Sequence, residues 1–278
     1  METIDFSKIA KKYREISTAQ SSASENLFKL LDIKPDESVL DIGCGTGNLT
    51  FKIKSLTKNR VTGIDVSEGM IKEAVKNYKN TGIEFLTKNA QDSSFNEEFD
   101  VIFCNSTFQW FNDIELSLKK LYIALKPGGR IGIQAPATDY YCPNFILAID
   151  KITKDERIGK TFSYFQNPWL FFNSSKEYEE IFRKEGFEIV FAKIDSVVSQ
   201  YSPKLVFEIF SSGAIAGYLN QDYYSTKIDE DYIELFKNGV KEEIDKQKNE
   251  EGFINLTFNR IYLIAYRPNA MSNVKRQM

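Results

Sequence analysis

The chain has 278 residues and a formal net charge of −3, from 36 basic and 39 acidic side chains, and it contains no histidine. That length suits one large α/β domain or a domain with an inserted cap, and the balanced charge argues against a nucleic-acid or anionic-membrane partner. The missing histidine excludes Ser-His-Asp and Cys-His nucleophiles, histidine-ligated zinc and an imidazole base at neutral pH.

The opening Met1-Glu2-Thr3-Ile4-Asp5 lacks the basic start and apolar core of a signal peptide, and no apolar run reaches the ~18 residues of a membrane span. Cys44, Cys104 and Cys142 are scattered, without a Cys-x-x-Cys pair, so a reduced, cytoplasmic setting without metal is expected. Phe6, Ile9, Tyr13 and Ile16 fall at helical spacing over residues 4–16, with Lys8, Lys11, Lys12 and Arg14 on a solvated face. A second helix starts after Ser24, turns Leu27, Leu30 and Leu31 inward and stops at Pro35.

The stretch Ser38-Val39-Leu40-Asp41-Ile42-Gly43-Cys44-Gly45-Thr46-Gly47 reads as a buried strand, a tight turn and the start of a helix. Gly43, Gly45 and Gly47 permit positive φ and let a ligand lie against bare main chain. The spacing is neither the Gly-x-Gly-x-x-Gly of dinucleotide binders nor a triphosphate loop. Leu49, Ile53 and Leu56 then mark a returning helix. A second strand, Arg60 to Asp65, ends about 20 residues past the glycines in a carboxylate, the position from which such units hold ribose hydroxyls.

Ser67 caps the next helix, whose inner face is Met70, Ile71, Ala74, Val75 and Tyr78, with Gly82 as its stop. Strand three is Ile83 to Leu86 and strand four Asp100 to Cys104; a helix burying Ile114, Leu118, Leu121 and Leu125 ends at Pro127-Gly128-Gly129, and strand five is Arg130 to Gln134. From Ala137 to Asn173 no period is clean and aromatic residues are dense, which fits either a loop over satellite core or a lid over an apolar pocket. Ser174 and Glu177 form a capping box for a helix reaching Gly186, and Phe187 to Ile194 is strand six. Residues 204–219 and 229–247 are helical, the latter with Ile233, Phe236, Val240 and Ile244 on one face, and Asn255 to Tyr266 is the last strand.

The fold expected is α/β, a Rossmann-like, doubly wound, mostly parallel seven-stranded sheet with a helical cap inserted late in the chain. Its parts are N-terminal helices over 1–37, a cofactor-binding core over 38–136, and an aromatic lid and helix over 137–186. The last two strands follow over 187–268 with a cap insertion at 197–252, and a polar tail covers 269–278.

These motifs resemble class I S-adenosylmethionine-dependent methyltransferases. The resemblance rests on Val39 to Gly47, Gly63-Ile64-Asp65-Val66-Ser67, Glu98 to Asn105 and Leu125-Lys126-Pro127-Gly128-Gly129, in the family's order and spacing. It implies S-adenosyl-L-methionine as cofactor and S-adenosyl-L-homocysteine as product. Gly43, Gly45 and Gly47 would pass under the methionine part, Asp65 would hold the ribose diol, and Val66 and Met70 would pack on the adenine. Asn89, with Ala90 and Gln91, would meet the adenine amine, with Asp92 as the alternative, and Asn105 would lie near the methionine ammonium group. Tyr13 and Gln20 complete the cofactor set.

The segment Asn105-Ser106-Thr107-Phe108-Gln109-Trp110 is similar to one in the trans-aconitate and malonyl-acyl-carrier-protein methyltransferases, and Phe258 to Ala265 is similar to the former. Both relatives methylate free carboxylates. The resemblance therefore implies O-methylation of a small-molecule carboxylate or acyl carrier, with Gln109, Trp110 and Arg260 on the substrate side and Tyr13 as another carboxylate contact. A carboxylate with pKa near ~4 is already ionised, so no general base is assigned. Small-molecule N- or C-methylation stays open. So does a nicotinamide oxidoreductase using the Tyr223 and Lys227 pair, whereas a nucleic-acid methyltransferase lacks both the Asn-Pro-Pro-Tyr/Phe string and the basic charge.

Overall fold

A computed structural model describes residues 18–269, with side chains from Ala23 onward. The helix expected over 4–16, and Tyr13 with it, lies outside the described residues. Helix α1 (Thr18–Leu31) precedes β1 (Val39–Ile42), α2 (Asn48–Leu56), β2 (Val61–Asp65), α3 (Glu68–Asn77) and β3 (Ile83–Thr87). Then come β4 (Phe99–Asn105), α4 (Ile114–Ala124), β5 (Leu125–Pro136), α5 (Pro143–Ile152), α6 (Glu156–Phe162), α7 (Ser175–Lys184) and β6 (Glu188–Tyr201). Helices α8 (Pro203–Ser212), α9 (Ile215–Tyr218) and α10 (Glu230–Asp245) lead to β7 (Ile254–Tyr266).

The seven strands are ordered β3-β2-β1-β4-β5-β7-β6, the first five parallel and β7 antiparallel to both β5 and β6. Strand order reverses between β1 and β4, so a crevice opens beyond their carboxyl ends. Val39, Val101, Phe103 and Ile264 pack against Leu27, Phe28 and Leu31 of α1 on one face. Leu40, Ile42, Ile102, Ile131 and Leu263 pack on the other against Leu118 and Leu121 of α4 and Tyr178 and Phe182 of α7. Side chains that alternate between faces, each apolar, account for the continuous hydrophobic runs of the central strands.

Several expected inward residues point elsewhere. Leu30 is exposed because the buried stripe of α1 follows Ala23, Leu27 and Leu31, with Phe28 beside them. Gly132 lets α1 lie close, since a Cβ there would stand 2.7 Å from Leu31. Leu56, the last residue of α2, and Val75, one step beyond the Met70, Ile71, Ala74 stripe, are also exposed. Strand β6 runs seven residues past the expected Ile194, because β7 pairs with it as far as Tyr201 opposite Ile254. The first helix after β6 accordingly begins at Pro203, one residue before the expected 204.

The aromatic segment is not structureless. Pro143 starts α5 at its first turn, and Phe145, Ala148, Ile149 and Ile152 form its buried stripe. Helices α5 and α6 join α8, α9 and α10 in a second apolar core around Phe145, Phe210, Tyr218 and Phe236, so the cap is built from two separate stretches of chain. No helix of the described residues is long and apolar enough to cross a membrane.

Arg130 on β5 pins the end of α1. Its guanidinium, 8% exposed, donates to the Leu31 and Asp32 carbonyls and to both oxygens of Glu37. Burial pushes the Glu37 carboxyl up, but the Arg130 guanidinium and the Lys34 amide outweigh it and hold the group below the usual carboxylate range. Glu37→Gln, which leaves a buried cation half-paired, is expected to cost about 3 kcal/mol. The stabilisation is present above the unfolded pKa and lost as pH falls through the lower folded one, so denaturant titrations should show wild type and variant converging in acid. Equal stability of the two at pH 7 would contradict the role.

Candidate active site

The glycine turn is fixed by backbone and carboxylate together. Gly43 and Cys44 donate to the Ile64 carbonyl at 2.8 and 3.0 Å. Asp65 accepts from the Gly45 amide through Oδ2 and from the Ser67 amide through Oδ1, each at 2.9 Å. One carboxylate thereby holds the ends of β1 and β2 and the start of α3 in one arrangement. A carboxylate offers about four acceptor sites, so Asp65 keeps lone pairs for hydroxyl donors. Burial raises its pKa against the lowering effect of the two amides.

The three glycines serve different purposes, all at positive φ. A Cβ at Gly43 would stand 2.0 Å from Thr107 Oγ1, and one at Gly47 would stand 2.8 Å from the Phe85 ring. A Cβ at Gly45 would meet nothing within 4 Å. Gly43 and Gly47 are thus required by protein packing, and Gly45 alone presents open backbone. Val66 beside it is 68% exposed, whereas Met70 is buried and its amide donates to the Ser67 cap. Beneath the turn, Asp41 is buried and accepts from Thr50 Oγ1 at 2.7 Å. Burial raises the Asp41 pKa to about 7, with a further push from Asp65.

After β3, Asn89 caps the short turn Ala90–Asp92, its Oδ1 accepting from the Gln91 amide. Ala90 is buried in the core, and Asp92 is exposed. The carbonyl oxygen of the Gln91 side chain is buried without a hydrogen-bond partner. Of the two residues weighed for an amine contact, Asn89 Oδ1 already accepts from the Gln91 amide and Asp92 faces solvent. Gln91 carries the unsatisfied acceptor.

Beyond β4, Ser106 adopts φ +57°, a conformation held by its amide donating to the Gln134 carbonyl at 2.7 Å and its hydroxyl to Gln134 Oε1 at 3.1 Å. Gln109 turns its Nε2 back to the Ser106 carbonyl at 3.0 Å, and its own carbonyl accepts from the Leu170 amide at 2.8 Å. The Trp110 indole meets Trp169 edge-on at 5.6 Å. Gln109 and Trp110 thus join the β4 loop to the aromatic segment.

Strand pairing aligns Asn105, Gln134 and Tyr262 across β4, β5 and β7, and sets Arg260 opposite Pro136, nearer the carboxyl ends. These residues share the face on which Phe103 and Ile264 pack with α1, so that face turns from apolar to polar as it nears the crevice. Asn105 Oδ1, Gln109 Oε1, Tyr262 Oη and Arg260 Nη1 are all buried without hydrogen-bond partners. Arg260 is 6% exposed, has no acidic partner among the described residues, and stacks on Phe258 at 4.6 Å. Burial lowers its pKa, while the neighbouring Tyr262 and Cys142 favour the charged form. Such unpaired buried groups are costly and are satisfied when a ligand supplies partners.

Sequence reasoning placed the glycines, Asp65, Asn105 and Arg260 at this edge, and the fold gathers them there. It missed Asp41, Ser106, Gln134 and Tyr262. A lone polar residue inside an otherwise apolar strand was the available signal for Asp41, Gln134 and Tyr262; nothing marked Ser106. Gln20 lies in α1, with its side chain outside the described set, and Tyr13 lies beyond it. No group of three potential metal ligands occurs among the described residues.

Residues 39–129 match the family described as Methyltransferase domain. The malonyl-[acyl-carrier protein] O-methyltransferase of Acetivibrio thermocellus is 35% identical over 127 residues, 45% of each chain. The trans-aconitate 2-methyltransferase of Rhodopseudomonas palustris is 27% identical over 58% of this chain and 57% of its own. The chain spans about half the length of these curated relatives. The crystal structure of the YcgJ protein of Bacillus subtilis has the same fold, with a TM-score of 0.60 at 15% identity over 90% of this chain and 100% of that one.

Two outcomes test the packing. Gly43→Ala should lower the thermal midpoint far more than Gly45→Ala, which bears only about 1–2 kcal/mol of left-handed strain; equal midpoints would refute the close contact with Thr107. The raised Asp41 pKa favours the folded state below the unfolded value near ~3.9, and that contribution fades as pH climbs to about 7. Asp41→Asn should therefore flatten the decline in stability between these limits, and an unchanged pH profile would place the titration elsewhere.

Proposed function

We propose that this chain, whose residues 39–129 match a methyltransferase domain, is a class I S-adenosylmethionine-dependent enzyme that methylates a carboxylate oxygen of a small molecule. The observation that carries the acceptor assignment is Arg260, a buried guanidinium with an orphaned Nη1 and no acidic partner among the described residues, at the carboxyl edge of the sheet. A planar guanidinium is suited to bidentate recognition of a carboxylate, and desolvation makes an absent counterion expensive.

The residues present fit the cofactor. Gly45 leaves open backbone, Asp65 retains acceptor capacity, and Asn105 Oδ1 and Gln91 Oε1 are buried acceptors without donors. When bound, S-adenosylmethionine supplies a methyl group already activated by its sulfonium. Asp65 would hold the ribose diol, Asn105 the ammonium group and Gln91 the adenine amine, with exposed Val66 against the ring.

The remaining task is to place an acceptor oxygen in line. Positioning of this kind is worth roughly 7–11 kcal/mol. A carboxylate needs no deprotonation at neutral pH and gains nucleophilicity when water is stripped from it. The chain's own groups suit that economy. Burial pushes the Tyr141 phenol well up and the Cys142 thiol to about 12, so neither serves as a base. Arg260 would orient the acceptor, and Gln109 and Trp110 would bound it on the β4 side. The curated relatives named for malonyl-acyl-carrier-protein and trans-aconitate methylation support an acid acceptor.

Purified chain with labelled cofactor is expected to form methyl esters from a carboxylic-acid panel and to leave amines and ring nitrogens unmodified, as read by mass spectrometry. Arg260→Met should lower kcat/KM for the acid by about 30-fold or more, the scale of an unpaired buried charge, with S-adenosylhomocysteine affinity kept within about twofold. Methyl transfer to amines but to no acid would overturn the acceptor assignment.

A further inference from the structure

The cap contains a cavity of about 260 Å³ that none of the assigned roles uses. Tyr141, Phe165, Trp169, Phe171 and Tyr218 supply its aromatic wall, with Ile149 of α5 behind them. The rings hold one another. Tyr141 and Phe171 stack at 5.1 Å, and Trp169 meets Tyr218 edge-on at 4.8 Å. Gly217 seats the indole, since a Cβ there would stand 2.1 Å from Trp169. The wall is therefore built to a defined shape, and Gly217 has a purpose that its position inside a short helix does not suggest.

The charge pattern limits what enters. The lining acids, Asp139 and Asp150, are exposed at the rim, and no lysine or arginine among the described residues lines the cavity. An anionic group is disfavoured inside, and the wall rewards burial of apolar area. Three links tie this space to the acceptor side of the crevice. Trp169 touches Trp110, and Tyr141 precedes Cys142, which lies in the field of Arg260. The Asn259 amide also donates to the Tyr141 carbonyl at 2.8 Å. At about 30 Å³ per water-sized group, the cavity has room for roughly eight or nine heavy atoms.

We propose that this cavity binds the uncharged apolar or aryl tail of the acceptor, so that the substrate is a monocarboxylic acid with a hydrophobic end rather than a small polyacid. The inference rests on the carboxylate reading. The head group is held at Arg260 and the tail lies among the rings. The cavity contributes affinity and selects against a second charge, because a carboxylate there would face Asp139 and Asp150 without a counterion.

Calorimetry on the full chain saturated with S-adenosylhomocysteine tests it, with 4-phenylbutyrate, 4-phenylbutan-1-ol, 4-phenylbutylamine and malonate as probes. Phenylbutyrate is expected to bind at least about tenfold more tightly than malonate, the scale of burying one ring. Trp169→Ala and Gly217→Val, the second leaving every cavity-lining residue in place, should each remove that preference while S-adenosylhomocysteine binding persists. Quenching of the two tryptophans by phenylbutyrate gives an independent readout in the unaltered chain. Malonate binding as tightly as phenylbutyrate, tighter binding of the amine than of the acid, or variants that bind cofactor product and phenylbutyrate as before would each overturn the proposal. Trp169-dependent binding of the alcohol as tight as that of the acid, with no acid methylated, would uphold the cavity and overturn the carboxylate reading, so the two failures are distinguishable.

Discussion

The carboxylate of Asp65 is the point on which the candidate site depends. Its two oxygens accept the Gly45 and Ser67 amides, so the glycine turn and the start of α3 are referred to one rigid group. Without it the Gly45 amide would lose the hydrogen bond that ties the turn to the end of β2. The same oxygens retain acceptor capacity, so the group that organises the loop still has lone pairs for further donors. Thr107 over Gly43 completes the clamp from β4, and the two parallel strands flanking the reversal of strand order present their loops as one surface.

The polarity of one sheet face follows from the same geometry. Along β4, β5 and β7 the rows change from Phe103, Gly132 and Ile264 to Asn105, Gln134 and Tyr262, and then to Arg260. In a folded protein such a row would be expected to satisfy itself. Here four of its atoms and those of the adjoining loop stay buried and unpartnered. That cost is borne elsewhere, by the two apolar cores on the sheet faces and by the Arg130 and Glu37 pair that fastens α1 across the sheet. Ser93, Ser117 and Tyr141 also keep unpartnered buried hydroxyls, but only along this edge do several such atoms lie together, which makes it the candidate binding edge.

The cap contributes differently. Its helices come from residues before α7 and after β6, and they meet only because β6 and β7 form a long antiparallel pair that returns the chain to β5. The aromatic wall around Trp169 therefore depends on contacts of Tyr141, Phe165 and Trp169, all between β5 and β6, with Tyr218 of α9, which is remote in sequence. The cap side of the crevice is an assembly of loops and short helices, and the glycine-turn side is a single βαβ unit extended by the end of β4.

That difference explains what was legible. The alternation of apolar runs with helical stripes makes the parallel sheet legible, and the glycines at 43, 45 and 47 with the acid at 65 mark the strand-to-helix turn and the strand end that the fold brings together, because each signal is local. The capping box at Ser174 and Glu177 forms as its spacing implies, for the same reason. Which glycine is open, whether Asn89, Gln91 or Asp92 has a spare acceptor, and that Val75, Leu30 and Leu56 face outward were decided by tertiary structure. So was the division of aromatic residues 140–172 between helix, wall and surface, where dense rings hide the 3.6-residue period of α5. A sequence records which residues are able to bury or to accept a hydrogen bond. Only packing decides which of them find partners within the chain, and the few left without one are what the folded molecule offers to a ligand.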